Sequence, residues 1–160
     1  MELNHLKKKF MQIIKDNQIT NDTWDYVADG AEIGDGNVTV SLTRLQQSGT
    51  GLLNRKGLTG VRITPEDTIA VIADYLPKLA LIELYFPELA DGRLFSHAWL
   101  LRNRYHYTGE LRATGHFLPD QVFYLSRVGV NSFYPEKSEN LASTLAGLKD
   151  FSVNYQPSVK

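Results

Sequence analysis

The chain contains no cysteine. That absence removes disulfides, thiolate nucleophiles, cysteine-ligated zinc and thiolate-held iron–sulfur clusters together. Nor is there an excess of either charge: 17 Lys and Arg face 18 Asp and Glu, a net charge of -1. Binding nucleic acid through phosphate neutralisation needs a basic excess, and so does a polybasic membrane-surface protein. No nucleic-acid and no membrane partner is therefore expected. Long apolar runs are also lacking, and nothing approaches the ~18 residues of a membrane span. The opening MELNHLKKKFMQIIKDNQ carries three lysines, but Lys15, Asp16 and Asn17 cut its apolar patch too short for a secretory core. A cytoplasmic location is the expectation, with Lys7–Lys9 read as a solvated end.

What is present is an ordinary globular composition, 42% hydrophobic and 22% charged over 160 residues. Residues 1–36 read as an N-terminal extension. Within it IIKDNQIT is a candidate hairpin turning at Asp16-Asn17. Residues 37–160 read as a single α/β domain. VTVSL, LTGVRI, LALIELYF, GELRATG and VNSFYP are strand candidates, and FSVNY alternates Phe151, Val153 and Tyr155 as a sixth. Between them lie helical patterns. Thr64 suits an N-cap and Pro65 a first helical position, with Ile69, Ile72 and Leu76 on one face. Leu94, Ala98, Leu101 and Tyr105 repeat at helical spacing, as do Val122, Leu125 and Val128, and Leu141, Leu145 and Leu148. Strands alternating with helices imply parallel pairing and right-handed crossovers. The expected fold is an open three-layer, mostly parallel sheet of five to six strands, with a partial β/α barrel as the alternative.

In such sheets ligands bind beyond the carboxyl ends of the strands. The loops leaving the strands offer Asp91, Gly92 and Arg93, then Gly115, His116, Asp120 and Gln121, with Ser96 and Arg112 beside them. Most have plain structural readings. Asp91 is a natural N-cap, and Asp120 and Gln121 suit a first helical turn. Arg112 stands inside an apolar strand, so its guanidinium is paired with a carboxylate such as Glu83 or Glu110, or faces a sheet surface. A sharper reading sets Arg93 and Arg112 together in one strand-end crevice as an anion site. The four histidines show no metal-ligand spacing. SGTGLLNRKG lacks the spacings of phosphate-binding loops, and no nucleophile elbow is present. These residues name no reaction.

The pieces FP, DGR, Ser96, Ala98, LLRNR, GELRA, Gly115, the DQ pair and LSRVG, with FSVNYQ at the end and MQIIKDNQITNDTW at the start, resemble a bacterial domain-of-unknown-function family. Its members are labelled oxidoreductases involved in sulfite reduction. Two positions depart from the family pattern: Leu94 stands where a Gly is usual, and His116 where an Asp is usual. Family genes commonly lie beside those for sulfite reductase and phosphoadenylyl-sulfate reductase. The resemblance implies an accessory protein of assimilatory sulfate and sulfite reduction, partnered with sulfite reductase or its electron donor. Two other roles stay open: a small-anion or sulfur-metabolite binding enzyme or sensor using Arg93 and Arg112, and a flavin-dependent electron carrier, since strand-end crevices hold flavins.

Overall fold

The computed structural model describes residues 11–88 and 91–154. The lysine run at 7–9 and Tyr155 lie outside them. Eight strands form one sheet: β1 (Gln12–Lys15), β2 (Gln18–Asn21), β3 (Trp24–Tyr26), β4 (Asn37–Ser41), β5 (Thr59–Ile63), β6 (Leu81–Phe86), β7 (Glu110–Gly115) and β8 (Ser132–Pro135). Their spatial order is β2-β1-β8-β7-β6-β5-β4-β3. From β3 to β8 every pairing is parallel, while β1 joins β2 and β8 antiparallel. The β1–β2 turn is made by Asp16 and Asn17 at φ 52° and 66°. Two successive positive φ values give the twist that a tight hairpin needs, and Asp and Asn tolerate them.

The helical segments are α1 (Leu42–Leu53), a 3₁₀ helix (Ile69–Lys78), α2 (Gly92–Trp99) running into a π-helical stretch (Leu100–Arg104), α3 (Val122–Arg127) and α4 (Leu141–Asn154). All of them pack on one face. Their buried side chains, among them Leu45, Ile72, Leu101, Leu125 and Leu148, share one core with Val40, Val61, Leu84, Ala113 and Phe133 of the sheet. This is the physical reason why the expected three layers are two. Consecutive strands lie side by side, and right-handed crossovers between neighbours deliver every helix to the same side. The sheet also has more than five or six strands, because the hairpin and β3 extend both of its edges.

Only Asp22 and Thr23 separate β2 from β3, yet these are the two edge strands. Three residue steps reach at most about 11 Å. In a flat sheet, strands about 4.8 Å apart would put those edges about 34 Å from each other. The sheet is therefore curled into a half-barrel, and the partial-barrel expectation describes it. The helices lie outside, and the other face of the sheet lines the concave interior.

Two further expectations are corrected. Thr64 and Pro65 do not begin a helix. The Asp67 carboxylate accepts from Thr64 N (2.8 Å) and Thr64 Oγ1 (3.2 Å), which closes a turn, and the 3₁₀ helix starts only at Ile69. Residues 151–154 are not a strand but the last turn of α4. A helix already nucleated adds one hydrogen bond per residue, which carries α4 through these positions.

Candidate functional site

Side chains alternate between the two faces of a strand. Register therefore puts Ser41, Arg62, Glu83, Arg112, Ser132 and Lys15 in one row across the concave face. Tyr85, Thr114 and Tyr134 stand two residues nearer the carboxyl ends of β6, β7 and β8.

Arg112 is the hub of this row and is 1% exposed. Its Nη2 donates to Glu110 Oε2 (2.8 Å), its Nη1 to Asp22 Oδ1 (3.2 Å), and its Nε to Ser132 Oγ (3.3 Å). Glu83 Oε2 stands 3.8 Å from Nη1. Asp22 lies in the two-residue link between the edge strands and also accepts from Trp24 N (3.1 Å). Its contact with Arg112 thus ties that link to the middle of the sheet. Glu83 Oε1 accepts from Thr39 Oγ1 (3.0 Å) and Arg62 Nε (3.1 Å), and Lys15 Nζ lies 3.3 Å from Glu110 Oε1. Burial alone would raise the Glu110 carboxyl. The Arg112 charge, hydrogen bonds from Ser132 and Arg112, and the Lys15 charge outweigh burial and hold it below its ordinary 4.5. The Tyr134 hydroxyl is pushed up, first by burial and then by the Asp22 carboxylate, partly opposed by Arg112.

Arg62 sits near the carboxyl end of β5, with its side chain 21% exposed. Its guanidinium carbon lies 3.9 Å from the centre of the Tyr26 ring and 4.9 Å from that of Tyr85. The concave face thus runs from a buried, mutually neutralised ion network to a mouth rimmed by Tyr26, Arg62, Tyr85 and Tyr134.

Arg93 and Arg112 are not brought together. Arg93 starts α2 on the helical side, with Nε 3.1 Å from Asp91 Oδ1, Nη2 2.8 Å from Asp91 Oδ2 and 3.6 Å from Glu66 Oε2. Arg112 lies on the opposite face. The shared crevice is absent because their strand and helix bury opposite sides of the sheet. Asp91 caps α2, accepting from Arg93 N (3.0 Å), and hydrogen bonds from Arg93 hold its carboxyl below the ordinary value. Gly92 and Ser96 are exposed on α2. Gln121 Oε1 accepts from Leu118 N (2.8 Å), and Asp120 is exposed in the same 3₁₀ turn. Gly115 ends β7 at φ +97°, where a Cβ would come 2.5 Å from the Phe86 carbonyl oxygen. With His116, Glu136, Lys137 and Asn140 it borders a cleft of about 250 Å³. Arg62 and Asp22 escaped the sequence reading. Arg62 carried the same signal as Arg112, a cation inside an apolar strand; Asp22 carried none.

On the outer side, Trp99 at the end of α2 is 52% exposed and Tyr124 on α3 is 59% exposed. The neighbourhood is braced by Arg102, which donates to the carbonyls of Gly129 (2.9 Å), Tyr107 (2.8 Å) and Gly109 (2.9 Å). Among the described residues no helix is long and apolar enough to cross a membrane.

Residues 60–160 match a family model whose description is "Bacterial protein of unknown function (DUF934)". No curated protein matches the chain.

Proposed function

We propose, from the premise that the chain belongs to this bacterial family of unknown function, that it is an accessory protein of sulfite reduction which docks on sulfite reductase or its electron donor. The observation that carries the reading is the exposure of two aromatic side chains on successive outer helices, Trp99 on α2 and Tyr124 on α3. Trp is seldom left half in water on a monomer's surface, and Trp and Tyr dominate the energetics of protein interfaces. The setting implied by the family resemblance supplies the partner. Arg102 ties the carbonyls of Tyr107 and Gly109, in the loop that follows the first helix, to that of Gly129, in the loop that follows the second, so the ends of both helices are held together.

The test is capture of the sulfite reductase hemoprotein subunit, and separately of its electron donor, by the purified chain. Trp99→Ala should weaken capture by about thirtyfold, the loss of a typical aromatic hot spot. The same variant should stay folded with a modestly lower melting temperature, because about half of the ring already lies in water. No association with either protein, together with normal growth of a deletion strain on sulfate, would end this reading.

A further inference from the structure

Three arginines carry the chemistry of this sheet and its rim, and two of them already turn an Nη group to carboxylates. Arg112 is enclosed by Asp22, Glu83, Glu110 and Ser132, and Arg93 is held by Asp91 and Glu66. Arg62 differs. A guanidinium has five N–H donors in a fixed plane. Among the described residues only its Nε has an acceptor, Glu83 Oε1 at 3.1 Å. Among those residues the four Nη donors have none, on a side chain that water reaches.

The surroundings fix this group rather than leaving it to swing. Tyr26 comes from β3 on one side of β5 and Tyr85 from β6 on the other, and both rings lie within cation–π range of the guanidinium. Glu83 anchors the Nε edge, and its other oxygen faces Arg112 rather than the mouth. What remains open is the Nη edge, at the carboxyl-terminal end of parallel strands. Ligands enter α/β sheets and barrels at that end.

We propose that Arg62 binds a small oxyanion at this mouth, through paired N–H···O bonds from its Nη edge. The ligand class is an anion presenting two oxygens in one plane, as a carboxylate, a sulfur oxyanion or a phosphate does. Lys could not replace Arg here, since an ammonium neither stacks between two rings nor offers two parallel donors. The site goes beyond the docking reading and stands or falls without it.

The experiment titrates the full chain separately with sulfite, sulfate, inorganic phosphate and acetate. Binding is read by calorimetry and by the ¹⁵N signals of the arginine side chains. At least one anion should saturate a single site with a dissociation constant on the order of 1 mM while moving the Arg62 signals. The anion bound tightest separates sulfur oxyanion from phosphate and carboxylate. Arg62→Lys should weaken that binding about tenfold or more, and Arg93→Gln should leave it unchanged. Should Arg62→Lys fail to fold, the wild-type Arg62 signals still decide. Signals that stay still with every anion, or affinity unchanged in Arg62→Lys, overturn the proposal.

Discussion

Replacing Arg112 by Met tests the buried network with little change in volume. The side chain is 1% exposed, and its guanidinium meets three carboxylates and a hydroxyl. Removing one partner of a buried ion pair costs about 3–5 kcal/mol, because a charge is left in a place water cannot reach. The figure is not tripled for three carboxylates: Glu83 keeps Thr39 and Arg62, and Glu110 keeps Lys15. For a chain of this size each kcal/mol moves the melting temperature by about 2–4 °C, so a drop of roughly 6–20 °C is expected. Circular dichroism melts and urea titration at neutral pH measure it. Amide exchange adds a local reading, since Asp22 ties the link between the edge strands to Arg112. The amides of β3, an edge strand whose first residue Trp24 donates to Asp22, should lose protection before those of β6 and β7. A variant within about 1 kcal/mol of wild type would refute the reasoning, since unpaired buried carboxylates cannot be that cheap.

Other outcomes follow from single contacts. Gly60→Ala places a Cβ 2.5 Å from the Leu81 carbonyl oxygen and 3.0 Å from Thr39 Cγ2. Backbone cannot move aside inside a ladder, so a loss of about 1–3 kcal/mol is expected in urea titration. Arg102→Ala strips three carbonyls of their donor and should cost about 1–3 kcal/mol; Arg102→Lys should recover little of it, because one ammonium cannot span the three sites. Asn17→Gly relieves a residue at φ 66° in the hairpin turn and should raise stability by about 0.5 kcal/mol, seen as a slightly higher melting temperature.

Much of the fold was written in local patterns. The nearly continuous apolar run at Leu81–Phe86 signals a buried parallel strand, and Glu83 within it marks the face that carries the ion network. Asp16-Asn17 announces the hairpin. The three residues of β3 are too few to show a period, and the strand exists because Trp24 and Tyr26 close over the concave face beside β4. Thr64-Pro65 carries the right chemistry for a helix start, but Asp67 turns back to Thr64 and delays it. The number of layers was not local information. It depends on strand order, and strand order depends on the curl that lets Asp22 and Thr23 join opposite edges. The site divided in the same way. A lone Arg in an apolar strand foretells a carboxylate partner, which Arg112 finds three times over. Which arginine keeps open donors is settled by neighbours two strands away.

The account rests on Arg112 acting inside the sheet, where its charge holds the Glu110 carboxyl below the ordinary value against the burial that would raise it. The most direct measurement is a carboxyl ¹³C titration of Glu110. A folded-state value below the ordinary 4.5 means that Glu110 contributes stability above that pH and loses it as the pH falls through the lowered midpoint. The expected result is a midpoint under 4.5, with the melting temperature falling as acid is added across it. A midpoint at or above 4.5 would contradict the account, because burial would then outweigh every charge the network supplies.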